Sequence, residues 1–184
     1  MQIILKQMIK SVILSTANVM GPTPQICYPP QDENFKNIVA MKSLILLAGN
    51  QDERNITTSI IPIAKDIGLI YLFFIPHPKG RAGIFDASIS VVVNNELHEL
   101  LIKSMSSITM IIKKYLNETE FRVNDDGDII NFNKTIQSLY ESIQFTFLNN
   151  ADPIQVLQVG TVKHHINQFK NSLSDLRKML NQYE

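Results

Sequence analysis

A single cysteine stands among the 184 residues. Cys27 cannot close a disulfide within the chain, which excludes a small scaffold held together by internal disulfides. It lies in an apolar, strand-like run, where a buried and inert thiol is the expected state. A surplus of charge is also missing. Lys and Arg number 17, Asp and Glu number 17, and the formal net charge is +0. A protein that tracks a nucleic-acid backbone needs a basic surplus or a dense basic patch, so that class is set aside. A balanced charge leaves little electrostatic repulsion between copies and so permits self-association.

Long hydrophobic runs are absent as well. The longest, "IGLIYLFFIP" near residue 70, falls far short of the roughly 20 residues a membrane-spanning helix needs. Near the N-terminus, Lys6 and Lys10 precede "SVILSTANVM", which Ser, Thr and Asn make too polar for the core of a secretory signal, and a cytoplasmic protein is expected. Asn-x-Thr triplets begin at Asn55, Asn117 and Asn133 and matter only on a secretory route, so they are read as chance.

Recognisable reaction chemistry is missing too. No G-x-S-x-G element and no Cys/His pairing for nucleophilic catalysis occurs. "KGRAG" at 79–83 lacks the spacing of a phosphate loop and precedes a strand rather than a helix, so it reads as a hairpin tip. "NDDGD" at 124–128 lacks the Glu that would complete a calcium loop and reads as a solvated turn. His164 and His165 are adjacent, so on a helix they diverge by about 100° and cannot share a metal. His77 and His98 have no Cys or carboxylate at ligand spacing. No metal, no cofactor and no catalytic residue is expected.

What the chain does contain is ordinary globular composition, 45% hydrophobic and 18% charged. Residues 8–17, rich in β-branched side chains, predict a strand; Met20-Gly21-Pro22 predicts a turn, and "TPQICY" a second strand with Pro24 at its start. Pro29-Pro30 stops that strand. Asp32 predicts a helix N-cap, Glu33 sits in the first turn, and Gly49-Asn50 predicts the stop. Three strands are then expected at 55–63, 68–76 and 85–93. The run beginning at Gly68 is apolar on both faces and is expected to be the central strand. Leu97, Leu101, Met105, Ile108, Ile112 and Tyr115 step at helical spacing, as do Ile136, Leu139, Tyr140, Ile143 and Phe147 further on. The polar stretch 117–129 between these helices is the expected boundary, giving an α+β domain over 1–116 and a helical extension over 117–184 that packs on it or mediates assembly.

The last segment is the most regular. Val159, Val162, Ile166, Phe169, Leu173, Leu176, Leu180 and Tyr183 alternate steps of three and four, a strict heptad seam. Val162, Ile166, Phe169, Leu173, Leu176 and Leu180 are the candidate partner-binding residues, facing a second copy of the chain in a homodimer or another helix.

The element order is strand, strand, helix, three strands, helix, helix. With Gly21-Pro22 at the first hairpin tip, the strand Gln25-Ile26-Cys27-Tyr28 and then Pro29-Pro30, it resembles a longin domain. The likeness is to the folliculin and nitrogen-permease-regulator-like kind, within the profilin-like group that also includes roadblock modules. It extends over about residues 8–116. It implies a five-stranded antiparallel sheet with helices on both faces. It also implies a non-catalytic module, a scaffold or regulator of a small Ras-like GTPase or of longin and roadblock partners in a trafficking or signalling complex. Some relatives supply an arginine finger from the loop before the central strand. Here that turn, Ala64 to Gly68, holds Lys65 and no arginine, while Arg54 and Arg81 lie elsewhere, so that role does not carry over. The Ile/Asn/Lys-rich composition points to an archaeal source. Two rival readings remain open. One is a PAS- or GAF-like sensor with a cavity lined by Tyr71, Phe73 and Phe85. The other is an enzyme that assembles Asp66, Asp86 and His98.

Overall fold

A computed structural model describes residues 8–18, 20–48, 58–124 and 127–151. Five strands and three helices follow in order: β1 Ile9–Asn18, β2 Gly21–Tyr28, α1 Glu33–Ala48, β3 Thr58–Ile63, β4 Asp66–Arg81, β5 Ile84–Asn94, α2 His98–Asn117 and α3 Asn133–Asn150. A single 3-10 turn, Asn95–Leu97, leads into α2. The strands form one antiparallel sheet in the order β2-β1-β5-β4-β3. The protein is therefore α+β, with helices on both faces of the sheet.

Side-chain alternation assigns the two faces. On one, Phe35 and Val39 of α1 pack against Ile13 of β1, Ile63 of β3, Ile70 and Leu72 of β4 and Val92 of β5, with Cys27, Ile38 and Ile61 at the margin. The helix starts where expected: the Asp32 carboxylate accepts from the Phe35 amide at 2.9 Å, satisfying an N-terminal donor the helix cannot pair itself. It runs to Ala48; Gly49-Asn50 lies outside the described residues. The opposite face holds Val12, Leu14, Leu69, Tyr71, Phe73, Phe85, Ile89 and Val91, and it is covered by α2 and α3 through Leu101, Ile108, Ile112, Ile136, Leu139, Ile143 and Phe147, all buried.

The central strand is β5, not β4. β4 is buried on both faces as its sequence demands, but it lies between β5 and β3, and β1 pairs with β5 from Ile9↔Val93 to Ala17↔Asp86. The sequence misleads here because β5 carries Ser88 and Ser90 on the α1 face. Both are fully buried, and their small size lets the helix sit close. The turn before β4 is also shorter than expected. Ala64-Lys65 alone makes it, Asp66 already pairs with Ile63, and Ala64 takes a φ of +52°.

β2 begins at Gly21, so Pro24 lies inside the strand rather than at its start. Ser15 pairs with Pro24 and Leu14 with Ile26, so Gln25 is the extra residue of a β-bulge. The Tyr28–Pro29 peptide is cis. The Gln25 side chain uses the bulge to reach the 124–129 loop: its Oε1 accepts from the Ile129 amide at 3.2 Å, and its Nε2 donates to Asp128 at 3.4 Å. Phe121, in the same polar stretch, stacks on Phe132 and tilts against Phe73, with centroids 5.2 and 5.7 Å apart.

Candidate interaction surfaces

Three surface features stand out among the described residues, and each follows from a departure from simple amphipathic patterning. α1 is apolar beyond the face it needs for the sheet. Met41 and Ile45, one turn apart, are 52% and 58% exposed on its outer side. Beside them Lys42 reaches back and donates to the Pro62 carbonyl at 2.9 Å.

The second is a groove between α2 and α3. Tyr115 donates to the Ser138 carbonyl at 3.2 Å, so the Ser142 hydroxyl, 2.8 Å away, donates to Tyr115. At the other end Asn150 Nδ2 donates to Ser104 Oγ at 3.1 Å. These bonds fix the two helices side by side and leave an open groove of about 610 Å³ outside them, floored by Ile111 and Tyr115. Phe145 stands on its rim, 66% exposed.

The third is a polar cleft of about 330 Å³ at the start of β1, lined by Met8, Lys10, Gln31, Lys65 and Asn94. Lys10 organises it. Its ammonium lies 2.6 Å from the buried Asp66 carboxylate and 4.1 Å from the centroid of the Phe35 ring, and its carbonyl accepts from Gln31 Nε2 at 3.2 Å. One residue pair thus joins the first turn of α1, β1 and the β3–β4 turn.

The residues singled out in the sequence have these positions. Asp66 and Asp86 pair with Asn94 and Phe74, so they lie at opposite ends of the β4–β5 pair, eight β5 residues apart or about 27 Å. The structure does not bring Asp66 and Asp86 together. His98 is exposed at the start of α2. The space over Tyr71, Phe73 and Phe85 is filled: Phe73 is covered by Phe121, and the His77 ring stacks on Phe85 at 4.6 Å.

At the 79–83 tip the amide of Gly83 donates to the Gly80 carbonyl at 3.0 Å, and the Gly83 carbonyl accepts from the His77 amide at 2.9 Å. A β-carbon at Gly80 would collide with the Ile84 carbonyl, so the tip closes on itself as a hairpin. In the 124–128 loop the Asp128 carboxylate accepts from Asn124 Nδ2 at 3.2 Å and from Gln25. Among the described residues no group of three His, Cys, Asp or Glu side chains is placed to hold a metal ion.

Cys27 is half-buried on β2, and its Sγ donates to the Pro29 carbonyl at 3.3 Å. Burial raises its pKa and outweighs the opposing pull of the Gln31 backbone bond and the Lys36 charge. Val162, Ile166, Phe169, Leu173, Leu176 and Leu180 lie outside the described residues, as do His164, His165, Arg54 and Asn55. Among the described residues no helix is long and apolar enough to cross a membrane. The sequence matches no family model and no curated protein.

The sequence reading missed Lys10 and Lys42. Each is a lone lysine in an apolar run, and only the register of β1 against β5 and of β5 against β4, or the placement of α1 beside β3, gives it a partner. The spacing of Lys10 and Asp66, 56 residues apart, carries no local signal.

Proposed function

We propose that the chain is a longin-like, non-catalytic protein-interaction module of the cytoplasm. It acts as a scaffold or regulator for a small Ras-like GTPase or for longin and roadblock partners, and its C-terminal heptad serves as an assembly element. The observation that carries this reading is the architecture. A five-stranded antiparallel sheet with α1 on one face and α2 and α3 on the other is the arrangement that the resemblance implies. The apolar side chains left outside the core support it, since Met41 and Ile45 on α1 stand on the helix surface and Phe145 on α3 stands on the rim of an open groove rather than in an enclosed pocket. Filled space over Tyr71, Phe73 and Phe85 favours this reading over a small-molecule sensor.

The experiment is a titration of the full chain with purified Ras-like GTPases, each loaded with GDP or with a non-hydrolysable GTP analogue. The reading expects saturable binding that prefers one nucleotide state, and no acceleration of GTP hydrolysis, because the turn before β4 offers Lys65 and no arginine. Failure to bind any such GTPase or any roadblock subunit would contradict it.

A further inference from the structure

Three prolines lie within the two edge strands, and their register is the same. In an antiparallel pair, positions alternate between those whose N–H and C=O point into the ladder and those whose groups point away from it. The position closing a two-residue turn points inward. Asn18↔Gly21 closes the β1–β2 turn, so Pro22, opposite Ala17, points outward; Thr23 points inward and Pro24, opposite Ser15, points outward again. Ile63↔Asp66 closes the β3–β4 turn, so Pro62, opposite Ile67, points outward. None of the three removes a bond from the sheet. Each removes an N–H from its outer rim.

At β3 the remaining acceptor is also occupied. The Pro62 carbonyl faces the rim and accepts from Lys42 Nζ at 2.9 Å, which independently places that carbonyl outside the ladder. In the described part of β3 this leaves Thr58 and Ile60 as the outward N–H donors, two of the three outward positions that its six residues provide. At β2 the bulge at Gln25 breaks the rim directly after Pro24. The described residues of β2 and β3 therefore lack the continuous row of donors and acceptors that another strand requires.

We propose that Pro22, Pro24 and Pro62, with Lys42, seal the rims of β2 and of β3 over Thr58–Ile63 against strand addition. Copies of the chain do not join through these two rims, extended peptides are not taken up along them, and partners are engaged through helix and loop side chains. The inference does not depend on which partner the chain binds.

The test has two arms, both on the full chain. In the first, Pro22→Thr, Pro24→Thr, Pro62→Thr and Lys42→Ala are combined, and mass is followed by light scattering against the parent at matched concentrations. The expected result is an unchanged far-ultraviolet circular dichroism spectrum with at least a doubling of mass. A folded variant with the parent's mass would overturn the proposal. The second arm needs no substitution and holds if the variant misfolds. Amide hydrogen exchange is measured from dilute to concentrated parent. Ser59 and Ile61, bonded inward to β4, are expected to be protected, while Thr58 and Ile60 exchange at rates independent of concentration. A tenfold slowing at Thr58 and Ile60 with concentration would show that the edge pairs, and would overturn the proposal.

Discussion

Lys10 Nζ stands 2.6 Å from Asp66 Oδ2, and the two sides of the pair are unequal: the Asp66 side chain is 3% exposed and that of Lys10 28%. The inequality has an energetic consequence. Lys10→Met would leave a carboxylate buried without its cation, whereas Asp66→Asn leaves an ammonium that can turn toward water along its own flexible stem. We predict a loss of about 2–3 kcal/mol for Lys10→Met, below the 3–5 range of a fully enclosed pair because Lys10 keeps contact with solvent. Asp66→Asn should cost roughly 1 kcal/mol. Urea midpoints of the two variants check this; equal losses, or the reverse order, would contradict it.

The serines beneath α1 separate two kinds of buried hydroxyl. Ser43 and Ser88 pair at 2.8 Å, and Ser43 also contacts the Ala40 carbonyl. Ser90 Oγ is fully buried and has no partner among the described residues. Ser90→Ala is therefore expected to be neutral or stabilising by up to about 1 kcal/mol, and Ser88→Ala to cost about 1 kcal/mol. Thermal unfolding of both variants reads the difference in sign.

Ala64 holds a φ of +52°, in the left-handed region that a β-carbon disfavours by about 1–2 kcal/mol. Part of that cost returns as unfolded-chain entropy when glycine is introduced. Ala64→Gly is predicted to stabilise by roughly 0.5 kcal/mol, measured as an increase in denaturant midpoint at unchanged slope. A loss of stability would show that the turn does not hold this conformation.

The Cys27 thiol is raised above its ordinary value near 9.0, with burial as the main cause. A group raised in the folded state contributes stability that is present below the unfolded value and fades as pH climbs through the folded one. Stability should therefore decline above pH 9 in the parent, and less so in Cys27→Ala. At pH 8 the native thiol should react with iodoacetamide more slowly than a free thiol, because burial disfavours the thiolate and limits access to the sulfur. Reaction at the free-thiol rate would contradict the burial.

Much of this fold is legible from residue order. Asp32 caps α1, Asn133–Asn150 forms α3 with its spaced apolar side chains inward, and the hairpins fall at Gly21 and at Ala82-Gly83. What is hidden is the pairing of distant strands. β5 takes the centre because β1 joins it, and its buried serines disguise a strand covered on both sides. Pro24 is misplaced by the sequence because a proline signals a strand end only if its missing N–H would have been used; at an outward position it costs the ladder nothing. The prolines of the first hairpin thus sit on the rim of the sheet rather than only at the ends of its strand. The candidate surfaces are legible in part. Met41 and Ile45 appear as an excess of apolar residues on α1, while the Lys10–Asp66 pair depends on contacts that no local pattern announces.

The account turns on association through helical side chains, and solution mass tests it most directly. Light scattering would compare the full chain with a full-length variant carrying Ile166→Asp, Phe169→Asp and Leu173→Asp, alone and with a bound Ras-like GTPase. We predict that the parent forms a dimer or a stoichiometric complex and that the variant loses that assembly while its spectrum stays folded. A parent that remains monomeric at every concentration and with every such partner, or a variant that assembles as the parent does, would contradict the account.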